Sequence, residues 1–239
     1  MLHFHIVTLF PESIEPYLQS SILGRARKGI APKGKKNTRP LIKVSYYDPK
    51  KFTTDKYGRV DRRPYGGGPG MVLEPEGILR AVEAAKKSAS RRTKGKPEII
   101  IFGTDGEVFS EKMAQELALG KNRVKAKAHA TRDIILICGR YEGIDARVQQ
   151  ILKAKIVSVG PYVLTGGELP AATLVDAISR FVPGVLGKSE SLEASRVSSP
   201  ETYTRPEVLV WKKKKYRVPA VLTTGNHAEI DKWRSEKRG

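Results

Sequence analysis

The stretch "SVGPYVLTGGELPAATL", Ser158 to Leu174, decides how the chain is read. A short apolar strand ends at its start, glycines bunch at Gly166 and Gly167, and a helical pattern opens near Pro170. Strand, glycine turn and helix form the repeating order of an α/β protein. It is also the order of a phosphate-cradling loop, but such loops put a lysine after the glycines, and Glu168 stands here instead.

The same order recurs upstream. "EIIIFG" (Glu98 to Gly103), "DIILICG" (Asp133 to Gly139) and "KIVSVG" (Lys155 to Gly160) are short apolar runs, each followed by a glycine-bearing turn and a helical pattern. "HFHIVTLF" (His3 to Phe10) and "LIKVSYYD" (Leu41 to Asp48) add two earlier strands. "PESIEPYLQSSILGRARKG" predicts a helix after the first of them. "EPEGILRAVEAAKKSAS" carries Ile78, Val82 and Ala85 at helical spacing, and Ser110 is placed to cap "SEKMAQELALG". The alternation predicts an α/β fold with a mostly parallel sheet over residues 1–187. Residues 188–202 are polar and poor in large apolar side chains, so they read as a flexible linker or lid. Residues 203–239 form a small basic appendage with two short helices expected, too short to hold a stable core alone.

Charge narrows the partners. The 239 residues hold 44 Lys+Arg against 25 Asp+Glu, a net charge of +19. Such an excess predicts a polyanionic partner, nucleic acid first and an anionic membrane surface second. No long basic amphipathic helix stands out, and no run of about 18 apolar residues exists, so no membrane association is expected. The N-terminus does not read as a signal peptide. The single cysteine, Cys138, excludes an internal disulfide framework and fits a reducing, cytoplasmic setting. In "IILIC" it reads as a small buried apolar residue.

Several motifs are excluded. "GGGPGM" (Gly66 to Met71) matches neither the P-loop nor the dinucleotide fingerprint. It reads as a positive-φ turn or as a place where a ligand approaches the backbone closely. His3 and His5 share one strand face and could share a metal, but no third ligand is placed, so no metal site is assigned. The strand-end loops "FGTDGE", "CGRYEGID" and "VGPYVLTGGELP" are the candidate pocket, because open α/β sheets bind ligands at the carboxyl ends of strands. Tyr141 and Tyr162 suit an aromatic or cationic ligand there. Asp105, Glu142 and Glu168 disfavour a phosphate.

Taken together, "LFPE", "GRA", "PYGGGPGM", "CGRYEGIDARV", "YVLTGGELPA", "SRFVPGVLG", "YTRPEVL" and "GNHAEI" resemble the bacterial tRNA (guanine-N1)-methyltransferases, members of the trefoil-knotted methyltransferase superfamily. The blocks fall in the family's order and span almost the whole chain. The resemblance implies a deep C-terminal trefoil knot, which spacing alone would not predict, since chains avoid knots. It implies a homodimer with the active site at the subunit interface. The cofactor would be S-adenosylmethionine and the substrate the guanine immediately 3′ of the tRNA anticodon. Family members also depend on magnesium, although no dedicated metal cage is visible in the sequence.

Carried over residue by residue, the resemblance implies cofactor contacts from Phe102, Gly103, Gly139, Tyr141, Glu142, Val159, Gly160, Pro161, Tyr162, Val163, Leu164, Gly166, Gly167 and Pro170. Pro161 replaces an acidic residue expected there. Arg180 matches the family arginine that would steady charge on guanine O6; from spacing alone it reads as a helix ion pair with Asp176. The family base is a lid aspartate. Here the lid is shorter, and "ESL" aligns Glu190 with it, one methylene longer, with Glu193 as second candidate. Without the resemblance both are solvated lid acids. For RNA, the implied contacts are Arg62, which replaces a family aspartate, with Gly67 and Gly68. The chain stops where family members continue into a larger helical domain. The run Lys212, Lys213, Lys214 and Lys215, flanked by Trp211 and Tyr216, is placed to substitute through phosphate contacts and stacking. Two rivals stay open: a non-catalytic RNA- or cofactor-binding relative, and a knotted methyltransferase acting at another RNA position.

Overall fold

A computed structural model describes residues 1–30, 39–91, 95–120, 132–186 and 201–237. The chain divides into two units, Met1–Gly187 and Lys188–Gly239.

The first unit is built on a five-stranded sheet in the order β2-β1-β6-β5-β7. The strands are β1 (Leu2–Val7), β2 (Ile42–Tyr47), β5 (Glu98–Val108), β6 (Arg132–Ile137) and β7 (Lys155–Ser158), and every pairing among them is parallel. β1 is buried along its whole length and β6 almost so, which places both in the sheet interior. β2, at one edge, mixes buried and exposed positions.

Helices complete the layers. α3 (Pro75–Ser90) buries Ile78, Ala81, Val82, Ala85 and Ala89 along one stripe. That stripe packs on Val7, Ile101, Ile135 and Ile137, together with Val148 of α5 (Ala146–Leu152). α6 (Glu168–Ser179) packs against β1, with α1 (Glu15–Leu18) and α4 (Glu111–Leu119) beside it. Ser110 caps α4 by accepting a hydrogen bond from Met113 N, as its spacing predicts. The single helix expected after β1 is instead three pieces: a 3-10 turn at Pro11–Ser13, α1, and α2 (Ser21–Lys28). Pro16 at the start of α1 and positive φ at Ser21 account for the breaks.

Two small antiparallel ribbons remain. β3 (Asp61–Arg62) pairs β4 (Val72–Leu73), inside what reads as a loop. In the second unit β8 (Val208–Trp211) pairs β9 (Lys214–Arg217), followed by a 3-10 turn at Ala220–Thr223 and α7 (His227–Glu236). Of the two short helices expected here, one is the 3-10 turn and the other is α7, and the hairpin that precedes them was not expected. Asn226 caps α7, and Tyr203 packs its ring against Trp233 at 6.3 Å. The hairpin turns through Lys212 and Lys213, both at positive φ (45° and 65°). Each costs about 1 kcal/mol relative to glycine, which is why no turn signal is visible in "KKKK".

Candidate functional site

The three strand-end loops converge. After Phe102 the chain leaves the ladder and rejoins it at Glu107, both residues pairing with Val157 of β7. The excursion Gly103–Gly106 lies on β7 so closely that a Cβ at Gly106 would stand 2.6 Å from Val157 N. After β6 the chain turns through Tyr141, whose φ of 59° is held despite its side chain. The segment after β7 returns across the sheet to β6. There Gly167 N donates to Gly139 O at 2.9 Å, and Arg140 bridges Gly166. A Cβ at Gly167 would meet Cys138 Cα at 2.6 Å, so only glycine lets the backbones approach this way.

Between these loops lies a cavity of about 280 Å³, near the lower end for a small-molecule site. Phe102, Gly103, Gly139, Tyr141, Glu142, Val159, Gly160, Tyr162, Val163, Leu164, Gly166, Gly167 and Pro170 all line it. Pro161 does not. Thr104, Asp105, Arg140, Gly143, Val157, Ser158 and Thr165 line it too and were missed as contacts, although Asp105 was weighed as a pocket acid. All seven sit in or beside the same three loops, so the strand-end signal covers them.

Glu168 is a correction. It is not a pocket acid: it is 3% exposed, accepts from Thr8 Oγ1 at 2.8 Å, and its Oε2 lies 3.0 Å from Arg140 Nε. That contact is an ion pair set off the hydrogen-bond line. Arg140 also stacks on Phe10, 4.5 Å from the ring centroid. The acid therefore ties the ends of β1 and β6 to the start of α6. It neutralises Arg140, which among the described residues is the one lysine or arginine lining the cavity. Asp105 and Glu142 remain as lining acids beside Val157, Val159, Val163, Leu164 and Pro170. This mixture suits a flat apolar group carrying positive charge and is poor for phosphate. Cys138 is buried, and that burial pushes its thiol well above the ordinary range, with the Glu168 charge adding to the effect. It is no nucleophile.

The glycine-rich run is attached to the same wall. Gly66, Gly67, Gly68 and Gly70 all have φ between 78° and 113°. A Cβ at Gly67 or Gly68 would meet nothing within 4 Å, so the turn, not crowding, demands glycine there. Met71 O accepts from Glu142 N, and Leu73 N donates to Gly143 O, which places this loop beside the Tyr141 turn. Arg62 is ion-paired with Glu74 and lies 3.7 Å from Asp55. Hydrogen bonds from Arg59 hold the Asp55 carboxyl down to about 2. Part of the charge expected at Arg62 is therefore already offset.

The remaining candidates lie elsewhere. Arg180 caps the far end of α6 and lines a separate groove with Ile14, Tyr17, Leu169, Thr173 and Asp176. The Asp176 carboxylate accepts a hydrogen bond from the Tyr17 hydroxyl. Lys212, Lys213, Lys214 and Lys215 are exposed on the β8–β9 hairpin. Glu190 and Glu193 fall outside the described residues. His3 and His5 do find a third group, Asp133 of β6, and the three candidate ligand atoms lie within 4.8 Å of one another. Their contacts are those of a buried polar network. His5 Nε2 lies 2.8 Å from Asp133, His5 Nδ1 3.0 Å from the Tyr47 hydroxyl, and His3 Nε2 2.8 Å from Ser45 Oγ. The network joins β1, β2 and β6.

A parallel sheet with glycine loops closing a pocket at its carboxyl edge defines an α/β protein of the strand-end ligand-binding class. Comparison with known sequences is more specific. The chain belongs to the family described as tRNA (Guanine-1)-methyltransferase TrmD, whose model matches residues 2–239. It is 43% identical over 233 residues to the tRNA (guanine-N(1)-)-methyltransferase of Mannheimia succiniciproducens, covering 96% of this chain and 80% of that protein. It is 41% identical over 242 residues to the protein of the same name from Dictyoglomus turgidum, covering 99% and 85%. With that of Clostridioides difficile it shares 38% over 241 residues, covering 99% and 92%. Among the described residues, no helix is long and apolar enough to cross a membrane.

Proposed function

We infer that this chain methylates N1 of guanine in tRNA, at the position immediately 3′ of the anticodon, with S-adenosylmethionine as methyl donor. The observation that carries the reading is the family match along residues 2–239. The cavity's chemistry supports the donor. Two carboxylates, two tyrosines and an apolar strip with the local arginine neutralised fit a sulfonium joined to an adenine. When bound, that group supplies an electrophilic methyl that needs no further activation.

Guanine N1 is a weak nucleophile while it holds its proton. Glu190 takes that proton, with Glu193 the alternative, and Arg180 donates to O6 as negative charge moves there. The loop residues lining the cavity, Gly139, Gly160, Gly166 and Gly167 among them, would hold the donor and so fix the position of its methyl group. The path of residues 160–167, returning from edge strand β7 to β6, supports the trefoil knot implied by the family.

Geometry also favours a homodimer. The cavity lies at the start of α6 and Arg180 at its end, and a helix of 12 residues spans about 18 Å. No arginine side chain covers that distance, so a second copy supplies Arg180 to each cavity. Exposed Tyr17, Tyr162, Val163 and Leu169 provide apolar surface for the contact. Lys212 to Lys215, with Arg62, Gly67 and Gly68, would meet RNA. Magnesium would act with the RNA or the donor; no ligands for it are assigned. The setting is cytoplasmic, where tRNA is.

The test is direct. Transcript tRNA is incubated with methyl-labelled donor, and the product is mapped by nuclease digestion and mass spectrometry. Label on N1 of that guanine is expected. No incorporation points to a binding relative, and label at another position removes the site assignment.

A further inference from the structure

The buried group His3, His5 and Asp133 has no part in the proposed reaction. His3 and His5 are 0% exposed and Asp133 5%. Alternation puts both imidazoles on one face of β1, and the register sets His3 beside Asp133 of β6. Both rings turn a nitrogen to the same carboxylate oxygen, His5 Nε2 at 2.8 Å and His3 Nδ1 at 3.5 Å. The other nitrogen of each ring meets a hydroxyl of β2: His3 Nε2 is 2.8 Å from Ser45 Oγ, and His5 Nδ1 is 3.0 Å from the Tyr47 hydroxyl. The two rings also lie against each other, with centroids 3.8 Å apart. One ligand atom from each residue thus converges within 4.8 Å, while the far side of each imidazole is held by a separate partner. Proteins aim histidines at a metal ion in this way.

We propose that His3, His5 and Asp133 form a zinc site that clips β1 to β6. Zinc bonded to imidazole nitrogen and carboxylate oxygen at about 2.0–2.2 Å sets neighbouring ligand atoms about 3.3–3.5 Å apart. The His3–Asp133 spacing already matches. The His5–Asp133 spacing must open by about 0.5 Å as the ion replaces the hydrogen between them. Each neutral ring then carries its proton on the far nitrogen, His3 donating to Ser45 Oγ and His5 to the Tyr47 hydroxyl oxygen, and both oxygens can accept. Asp133 can bind through both its oxygens, which completes four coordination. A divalent ion also offsets the buried carboxylate, which two neutral imidazoles do not. Nitrogen ligands select a transition metal over magnesium, which takes oxygen. The site stands apart from the chemistry, because the stretch from Asp133 to Gly139 on the cavity wall runs about 20 Å. Its effect is on stability, since it ties His5 to a residue 128 positions away. Complete burial means that the ion enters while β6 is joining β1, not through the finished sheet.

The experiment uses the full chain without an affinity tag, produced in medium containing either zinc or a zinc chelator. Metal is counted by mass spectrometry after gel filtration in EDTA. About one zinc per chain is expected from the first culture, and less than about 0.1 overturns the proposal. At free zinc of about 100 Kd the loaded chain should melt about 5–10 °C above the zinc-free chain, and equal midpoints overturn the clip. His3→Gln with Asp133→Asn should carry no zinc. His129→Ala with His227→Ala removes the chain's other two histidines and should keep it. The opposite pattern assigns the ion elsewhere and overturns the proposal. Should the first variant not fold, X-ray absorption at the zinc edge of the unaltered chain decides. Two imidazoles and a carboxylate at about 2.0–2.2 Å are expected, and a shell with fewer than two imidazoles overturns the assignment. Methyl transfer to tRNA, measured well below either midpoint, should be the same for both cultures. Transfer that requires zinc would make the ion part of the reaction and overturn the clip.

Discussion

If two copies build each site, activity can be divided between chains. Arg180→Ala removes the O6 donor, and by itself should lower the rate about 10²–10³-fold. Gly139→Phe fills the cavity instead. A Cβ at Gly139 meets only Ile144, at 3.5 Å, so the substitution is tolerable at its root. Each variant alone is nearly inactive. In a co-expressed mixture about half of the dimers pair one variant with the other. Each such dimer has one doubly damaged site and one site with both an intact cavity and an intact Arg180. The mixture should therefore recover about a quarter of the unaltered activity. Two affinity tags isolate the mixed dimer, where the recovery should be about half. The assay is label incorporation into tRNA at saturating substrate. Background activity in the tagged mixed dimer would refute the reasoning, because it would mean that Arg180 serves the cavity of its own chain despite about 18 Å of intervening helix.

Other outcomes follow from particular contacts. Glu190→Gln should reduce the single-turnover rate with saturating tRNA by about 10²–10⁴-fold, and a full rate would transfer the role to Glu193 or remove it from the lid. Arg140→Ala strands the Glu168 carboxylate, buried with Thr8 its remaining side-chain partner among the described residues, and should cost about 3 kcal/mol by urea denaturation. An unchanged midpoint would show that the ion pair does not hold the loops. Glu15 links pH to stability: burial raises its pKa, but hydrogen bonds from Arg27, Tyr46 and Gln19 outweigh this and hold it below its ordinary value of 4.5. A depressed carboxyl stabilises fully above the unfolded value and loses that contribution as pH falls through the lower folded one. Denaturation midpoints should drop below about pH 4.5, and less steeply in Arg27→Ala.

The buried strands were legible because parallel strands covered on both faces must be apolar throughout, and "IILIC" and the three isoleucines Ile99, Ile100 and Ile101 are. The cavity was legible for a related reason: glycines at strand ends mark where backbones approach one another or a ligand. Glu168 was misread because its partners, Thr8 and Arg140, lie 160 and 28 residues away, and no local pattern reports such a pairing. Asp133 was missed as the companion of His3 and His5 for the same reason. The hairpin was hidden by its own turn. Two lysines at positive φ replace the Asn-Gly that announces a two-residue loop. Arg62 was credited with charge that Glu74 partly cancels across the short β3–β4 ribbon.

The strand order carries a consequence for how the protein is made. β1 is synthesised first, yet it lies between β2 and β6, and β6 ends at residue 137. Once β2 has left the ribosome, about 90 further residues must follow before the other side of β1 can be paired. At ordinary rates of translation that is about 5–20 s. Through this interval the nascent β1 presents an open edge, the kind of surface that recruits strands from neighbouring chains. His3 and His5 sit on that strand, and the carboxylate that accepts from His5 arrives only with β6. Until Asp133 emerges, the strand carries imidazoles that resist burial against a foreign apolar strand. Its native partner is the one that brings the matching acid.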